Sequence, residues 1–149
     1  MALRETANAH VDAPADRVFG IVTDIGRLPE WNAGIVEVAD APPQLKPGSE
    51  WKVRVRALGQ TWVSKSTVTD LDPTVHRFAY RSQSDDGNPS YADWEWTVAP
   101  DGSSCVVTVT ADLNPRTFWR KHLLIKIRRS GLRKEMAASL TALGGLAQT

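Results

Sequence analysis

Alternation of apolar and polar residues is clearest in the segment EWKVRVRA, residues 50–57. A pattern of period two predicts a β-strand, and its apolar side consists of Trp51, Val53 and Val55. A two-residue turn at Gly59-Gln60 would return the chain as a second strand. A turn at Leu58-Gly59 would shift the pairing by two residues and leave the faces unchanged. With either turn, the second strand adds four residues to the apolar face of the first strand: Trp62, Ser64, Ser66 and Val68.

A second hairpin is predicted between residues 91 and 111, turning about Asp101-Gly102, a dipeptide typical of a type I′ turn. Counting back from this turn gives the pairs Val98–Cys105, Trp96–Val107 and Trp94–Val109. One face of the hairpin is then apolar, and the other, which carries Asp93 and Glu95, is polar. The two hairpins therefore independently predict a sheet with an apolar, tryptophan-rich inner face and a polar outer face.

Three further segments predict strands and bring the sheet to about seven. Residues 3–11 alternate weakly, a short strand is marked by Ile35, Val36 and Val38, and residues 76–82 read HRFAYRS. We expect a β-bulge at the Asp72-Pro73 corner that precedes the last of these segments. The inward residues of that last segment are Phe78 and Tyr80.

Helical patterns flank the strands. Residues 12–22 predict a short helix, and residues 25–32 predict a second short helix or a tight turn. The chain is predicted to be helical again over about residues 116–146, and a helix of ~30 residues is about 45 Å long. The apolar stripe of this helix consists of Leu132, Met136, Leu140 and Leu143. Because an apolar sheet face needs an apolar cover, we predict an α+β fold in which a curved antiparallel sheet grips the C-terminal helix.

Composition is that of a folded protein, with 42% hydrophobic and 23% charged residues in 149 positions, a length that suits one domain. Cys105 is the only cysteine, so no intrachain disulfide is expected, and three scattered histidines offer no metal site. No nucleotide-binding glycine motif occurs, and we expect no cofactor. The first residues do not resemble a signal peptide, and no apolar stretch of about 18 residues occurs, so we expect a cytoplasmic location.

The start of the predicted C-terminal helix is strongly basic. Eight basic residues precede the first acid, Glu135: Arg116, Arg120, Lys121, Lys126, Arg128, Arg129, Arg133 and Lys134. Positive charge at a helix N-terminus opposes the helix dipole, so local helix stability does not favour it. Two interpretations stay open: transient contact of Arg116–Lys134 with an anionic membrane surface or an acidic protein, or a solvated face balanced by acids of the sheet. Net charge is only +1, and we expect no nucleic-acid partner.

The segment VDAPADRVFGIVTDIGRLPEWN, residues 11–32, resembles the opening of the START-like (SRPBCC) superfamily, the polyketide cyclase/dehydrase and lipid-transport group. The residues that carry this resemblance are Ala13, Pro14, Val18, Phe19, Asp24, Pro29 and Trp31. The order of strands followed by one long helix is also similar to the helix-grip fold of that superfamily. The resemblance implies a single START-like helix-grip domain over residues 1–149, with a cavity for a hydrophobic or amphipathic molecule between sheet and helix.

We predict that the protein binds or transports a small hydrophobic ligand, such as a lipid, an isoprenoid or a polyketide-like molecule. Flat aromatic faces suit such guests, and inward serines need hydrogen-bond partners that a ligand can supply. A filled core without a cavity is the alternative interpretation. The predicted ligand-binding residues are Trp51, Val53, Val55, Trp62, Ser64, Ser66, Phe78, Tyr80, Trp94, Trp96, Leu132 and Met136.

Cyclases within the superfamily imply a second hypothesis, a cofactor-independent polyketide cyclase/dehydrase that uses Tyr80 or His122 as general acid or base. The alternative is that the first is a core tyrosine and the second a helix-surface histidine. His10 and His76 have no carboxylate or cysteine close in sequence, and we interpret them as structural. A third hypothesis is an interaction module that docks an acidic partner through the basic helix. The fold does not decide among these, and the sequence gives no oligomeric state.

Overall fold

The computed structural model describes residues 3–57, 59–85, 87, 89–115 and 125–148, with the backbone alone at residues 57 and 125–130. This part of the chain forms one curved antiparallel sheet of seven strands: β1 (Leu3–Val11), β2 (Ile35–Ala39), β3 (Glu50–Ala57), β4 (Gln60–Asp72), β5 (Arg77–Ser84), β6 (Tyr91–Asp101) and β7 (Ser104–Asn114). The order across the sheet is β1-β7-β6-β5-β4-β3-β2. The predicted sheet is therefore confirmed.

The β3–β4 hairpin closes with Ala57 opposite Gln60, which is the register predicted for a turn at Leu58-Gly59. The pairs on the inner face are Trp51–Ser66, Val53–Ser64 and Val55–Trp62. Burial agrees with the predicted faces, because Trp51 is 2% exposed whereas Val63, next to Trp62, is 39% exposed. The alternation of this hairpin thus fixed its inner and outer faces.

The register of the β6–β7 hairpin differs by two residues from the prediction. Asp101 pairs with Ser104, so the turn centres on Gly102 and Ser103, and the predicted pairs are wrong. The observed pairs are Val98–Val107, Trp96–Val109 and Trp94–Ala111. Gly102 has a φ of 64°, so the left-handed residue is the first central one, a position that suits glycine. A shift of two residues leaves every side chain on its predicted face.

Strands β4 and β5 pair through a β-bulge between Val68 and Asp70, not at the predicted Asp72-Pro73 corner. The extra residue changes the phase of β4, so that Leu71 packs against the core and lies opposite Phe78. The inward phase predicted for Phe78 and Tyr80 is confirmed, since Phe78 is 1% exposed and both rings contact the core.

Helices cover the inner face of the sheet. As predicted, two short helices follow β1: α1 (Ala15–Val22) and α2 (Leu28–Trp31), joined through a 3-10 turn at Ile25–Arg27. The C-terminal helix α3 (Ile125–Ala147) packs against β1, α1 and α2. Its predicted stripe is at most 3% exposed at Leu132, Met136, Leu140 and Leu143. Residues 116–124 of the predicted helix lie outside the described residues. None of the described helices has the length and hydropathy needed to cross a lipid bilayer.

Charged side chains on the outer face of the sheet pair with one another. Arg81 Nε lies 2.7 Å from Asp93 Oδ1, and Lys65 Nζ lies 2.8 Å from Glu50 Oε2. Further pairs are Arg4–Asp112, Lys52–Asp85 and Arg77–Glu95. Exposed ion pairs contribute little to stability, so their main consequence is that acids and bases of the outer face neutralise each other locally.

Candidate ligand-binding site

The residues predicted to bind a ligand lie on the inner face of the sheet and on the buried stripe of α3. Most of them are buried, and the half-buried ones are Val55, Trp62, Tyr80 and Trp94. These four belong to β3, β4, β5 and β6, which are neighbouring strands. The half-buried members of the predicted set therefore all lie on the four strands β3–β6.

A patch of small side chains lies beside these half-buried residues; in it Ser64 and Ser66 are buried, and Ser82, Ser84 and Ala92 are half-buried. In the register of the sheet, Ser66 of β4 faces Ser82 of β5, and Ser82 in turn faces Ala92 of β6. Two residues further along the strands, Ser64 faces Ser84. We refer to Ser64, Ser66, Ser82, Ser84 and Ala92 as the serine trough. Each of these side chains has at most two non-hydrogen atoms, so the patch lies lower than the rings around it.

Bulky side chains bound the serine trough. The row of Ser66 continues into Trp51 on β3 and Leu113 on β7. The adjacent row holds Tyr80 opposite Trp94, and Trp62 follows Ser64 on β4 at the other end. Strands lie about 4.8 Å apart and residues of one face about 7 Å apart along a strand, so the floor measures roughly 10 Å by 7 Å. That footprint suits a small polycyclic molecule.

The hydroxyls of the serine trough are only partly hydrogen-bonded. Ser64 Oγ donates to the backbone carbonyl of Gln83 at 3.2 Å, and Trp94 Nε1 donates to Ser82 Oγ at 3.2 Å. Within the described part of the chain, the hydroxyls of Ser66 and Ser84 form no hydrogen bond. Ser66 is buried and Ser84 is half-buried, and both hydroxyls have hydrogen-bonding capacity for a bound molecule.

Tyr80 and its aromatic neighbours form one wall of the serine trough. The Tyr80 ring stacks on Trp94 with 13° between the planes and 6.3 Å between the centroids. Trp51 and Phe78 contact Tyr80 at centroid distances of 5.4 and 5.2 Å. Aromatic pairs at such distances add about 0.5–1.5 kcal/mol each beyond the effect of burial. The wall therefore presents a well-ordered surface to the trough.

The Tyr80 phenol is held in its neutral form. Burial raises the pKa of Tyr80 to about 12, and an interaction with the Trp96 side chain opposes this shift more weakly. A phenol with this pKa keeps its proton at neutral pH. At neutral pH the Tyr80 hydroxyl can therefore donate a hydrogen bond.

We expect the Tyr80 phenol to make stability depend on pH in the alkaline range. The unfolded chain has an ordinary tyrosine pKa near 10, whereas the folded pKa is about 12. The folded state holds the proton more tightly, so this contribution is complete below pH ~10 and is lost as pH rises through ~12. When the pH is raised from about 9 to 12, the unfolding free energy of wild type should fall by about 2 kcal/mol more than that of Tyr80→Phe.

Urea denaturation at the two pH values measures this difference. The control is Tyr91→Phe, which removes the other of the two tyrosines. Equal pH dependence in wild type and Tyr80→Phe would contradict a raised pKa at Tyr80.

A small cavity lies between β6 and α3, on the other side of Trp94 from the serine trough. Its lining consists of Asn32, Ala33, Trp94, Trp96, Leu132, Glu135, Met136 and Ser139. Four of the predicted site residues meet there, but the volume is only about 20 Å³, which holds about one water molecule. Ser139 Oγ accepts a hydrogen bond from the Ala33 N–H at 2.8 Å. This contact holds α3 close to the corner after α2. The cavity is too small to hold the predicted ligand.

An ion pair between an exposed arginine and a buried carboxylate joins α3 to β1. Glu5 lies on the inner face of β1 and is 6% exposed, and Arg133 donates to its two oxygens at 2.8 Å from Nε and 3.2 Å from Nη2. A carboxylate in such a place needs a paired cation, and the bidentate geometry also orients the helix. Of the eight basic residues, only Arg133 and Lys134 have described side chains. At Arg133 an acid of the sheet balances the helix charge.

Sequence reasoning did not identify Ser82, Ser84, Ala92 or Glu5 as residues of the inner face. The signal for the two serines was present, because the alternation that places Tyr80 inward continues to both of them. Ala92 precedes the clear alternation of its strand. Glu5 is charged, and charged residues are rarely buried, so only the contact with α3 explains its position.

His76 pairs with a carboxylate that is far away in the sequence, so the sequence did not indicate this partner. Its Nε2 lies 2.6 Å from Oδ1 of Asp16 in the first turn of α1, 60 positions away. The imidazole also packs edge-on against Phe19 at 5.4 Å. These contacts join α1 to the turn before β5, away from the serine trough. His122 lies outside the described residues, among which no group of three or more potential metal ligands occurs.

An antiparallel sheet that wraps one C-terminal helix, with two short helices after the first strand, defines the helix-grip fold of START-like proteins. The family described as polyketide cyclase/dehydrase and lipid transport matches residues 3–148. The chain belongs to this family. No curated protein sequence matches the chain significantly.

Solved structures share this fold. Zhui aromatase/cyclase from a Streptomyces species is similar with a TM-score of 0.80 and 20% identity, over 99% of this chain and 94% of that one. A START superfamily protein from Mycobacterium smegmatis gives a TM-score of 0.76 and 20% identity over 97% of both chains. Ara h 8.0201 gives 0.76 and 12% identity over 99% of both chains. At these identities the similarity establishes the fold alone.

Proposed function

We propose that this protein binds a small hydrophobic or amphipathic molecule between the sheet and the C-terminal helix, with the serine trough as the floor of the site. The observation that carries the proposal is the trough itself, a low patch of small side chains bounded by half-buried aromatic rings. A core face filled by its own side chains would hold large apolar residues at these central positions.

The walls of the site supply the binding energy. Trp62, Tyr80 and Trp94 are half-buried in the free protein, and a guest on the trough would cover them further. Burial of about 200 Å² of apolar surface is worth on the order of 5 kcal/mol. A binding free energy of about 5 kcal/mol corresponds to a Kd of roughly 0.2 mM. Ordering of the guest offsets part of this gain, so contact with these three rings alone supports only weak binding.

The family supports the same class of ligand. Its description includes lipid transport, and one similar structure is a START superfamily protein. For this chain we propose binding and delivery of a lipid, an isoprenoid or a polyketide-like molecule. The proposed location is the cytoplasm. Contact of Arg116–Lys134 with an anionic membrane or an acidic protein stays a hypothesis, and salt-insensitive liposome binding would count against it.

Native mass spectrometry of the protein purified from its own host tests the proposal, together with calorimetric titration of farnesol, palmitate, flavanone and naringenin. We expect at least one apolar guest to bind and to change the tryptophan fluorescence, because tryptophans line the site. The proposal fails if no guest co-purifies and no member of the panel binds.

A second candidate function is a polyketide cyclase/dehydrase that works without a cofactor. It is favoured by the neutral Tyr80 phenol beside the serine trough, a group that can protonate or hydrogen-bond a carbonyl oxygen. One similar structure is named an aromatase/cyclase. Turnover of a linear polyketide mimic that is unchanged in Tyr80→Phe and in His122→Ala would remove both residues from this role.

A further inference from the structure

The four serines of the serine trough form two directly opposed pairs on a face that is otherwise apolar or aromatic around them. Ser66 lies opposite Ser82, and Ser64 lies opposite Ser84. We infer that the guest carries neutral oxygen atoms, as hydroxyl or carbonyl groups, on the surface that lies on the trough. This inference rests on the proposed function and specifies the chemistry of its ligand.

Position and burial make these serines unsuited to packing alone. Ser66 is 2% exposed and Ser64 is 7% exposed, so both belong to the interior of the protein. Serine adds little apolar contact there, and its hydroxyl needs a partner once water is excluded. With no hydrogen bond at Ser66 or Ser84 among the described residues, two donors and their lone pairs are available to a guest.

The existing hydrogen bonds set what the other two hydroxyls can offer. Ser64 gives its proton to the Gln83 carbonyl, so its oxygen can only accept from a guest. Ser82 accepts from Trp94 Nε1, so its own proton stays available to donate. The trough therefore combines donors and acceptors, an arrangement that matches hydroxyl and carbonyl groups.

The floor carries no charge. Its members are serines and one alanine, and the cations that flank them in sequence, Lys65 and Arg81, are paired with Glu50 and Asp93. A buried carboxylate or ammonium group would need an opposite charge beside it. Neutral oxygens are thus favoured over the headgroup of a fatty acid. Opposed residues in a sheet lie about 5 Å apart, which sets the spacing of the oxygens.

Naringenin and flavanone form a matched pair of probes, since the first is the second with three added hydroxyl groups. We expect wild-type protein to bind naringenin about tenfold or more tightly than flavanone in calorimetric titration, because each new hydrogen bond is worth a factor of about 2–12. In Ser66→Ala/Ser84→Ala, the preference should fall about tenfold through loss of naringenin affinity alone. Thr61→Ala removes an exposed hydroxyl from the same strand, outside the trough, and should keep the preference.

The outcomes separate this inference from the function it rests on. Equal affinities for the two probes, or a preference that survives in the double variant, would overturn the inference and leave a hydrophobic binding site in place. Palmitate binding tighter than naringenin would overturn it as well. Absence of binding by every probe would overturn both. Circular dichroism and thermal melting of the double variant show that any lost preference comes from a folded protein.

Discussion

Ala92→Phe is expected to weaken the binding of both naringenin and flavanone on the order of a hundredfold. Ala92 is the half-buried alanine of the serine trough, between Ser82 and Leu113 in the sheet register. A phenyl ring at this position occupies the floor where the guest is proposed to lie. Loss of about 100 Å² of apolar contact removes about 2.5 kcal/mol of binding free energy, which corresponds to that factor.

The matched control is Ala99→Phe. Ala99 lies on the same strand, is exposed, and pairs with Val106 on the outer face, so the same ring added there should leave both affinities unchanged. Stability gives a second readout of the space above the trough. A ring that enters free space should change the unfolding free energy by less than about 1 kcal/mol, whereas overpacking costs about 1–3 kcal/mol. Unaltered affinity in Ala92→Phe would place the guest elsewhere.

Leu143→Ala should lower the unfolding free energy by about 2–5 kcal/mol, a large part of the 5–15 kcal/mol typical of a folded protein. Leu143 is fully buried in the stripe that α3 turns toward the rest of the core. The substitution removes apolar contacts and leaves a cavity, because the surrounding strands and helices relax only partly.

Urea denaturation followed by circular dichroism measures this loss. Val75→Ala serves as the control, since Val75 is 61% exposed and its truncation should change stability by no more than about 0.5 kcal/mol. A loss below about 1 kcal/mol for Leu143→Ala would mean that α3 is not closed against the core at this point.

Side-chain faces could be predicted from the sequence with more success than strand register. Alternation alone placed Trp51 and Phe78 inside, because a residue and its second neighbour always share a face. Register depends on the residue that takes the left-handed position in a turn. In the β6–β7 hairpin this residue is Gly102, but it is the first central residue and not the second, and every predicted pair shifted by two.

The site could be predicted only in part, because its shape depends on pairs of strands. Alternation in the sequence predicted that Ser64 and Ser66 face inward. The trough, however, forms only because they lie opposite Ser84 and Ser82 on the neighbouring strand. A low patch arises where several small residues meet, and such a meeting is a property of the register. The Glu5–Arg133 pair joins residues 128 positions apart, and no local pattern indicates it.

The β-bulge between Val68 and Asp70 reverses the alternation of inward and outward side chains between the two halves of β4. Without the extra residue, the alternation that keeps Ser66 inside would bring Asp70 inside and turn Leu71 out. With it, Leu71 packs in the core while Asp70 reaches Arg77 at 3.3 Å. The extra residue therefore lets one strand place both Ser66 and Leu71 on the inner face, although they are five positions apart in the sequence.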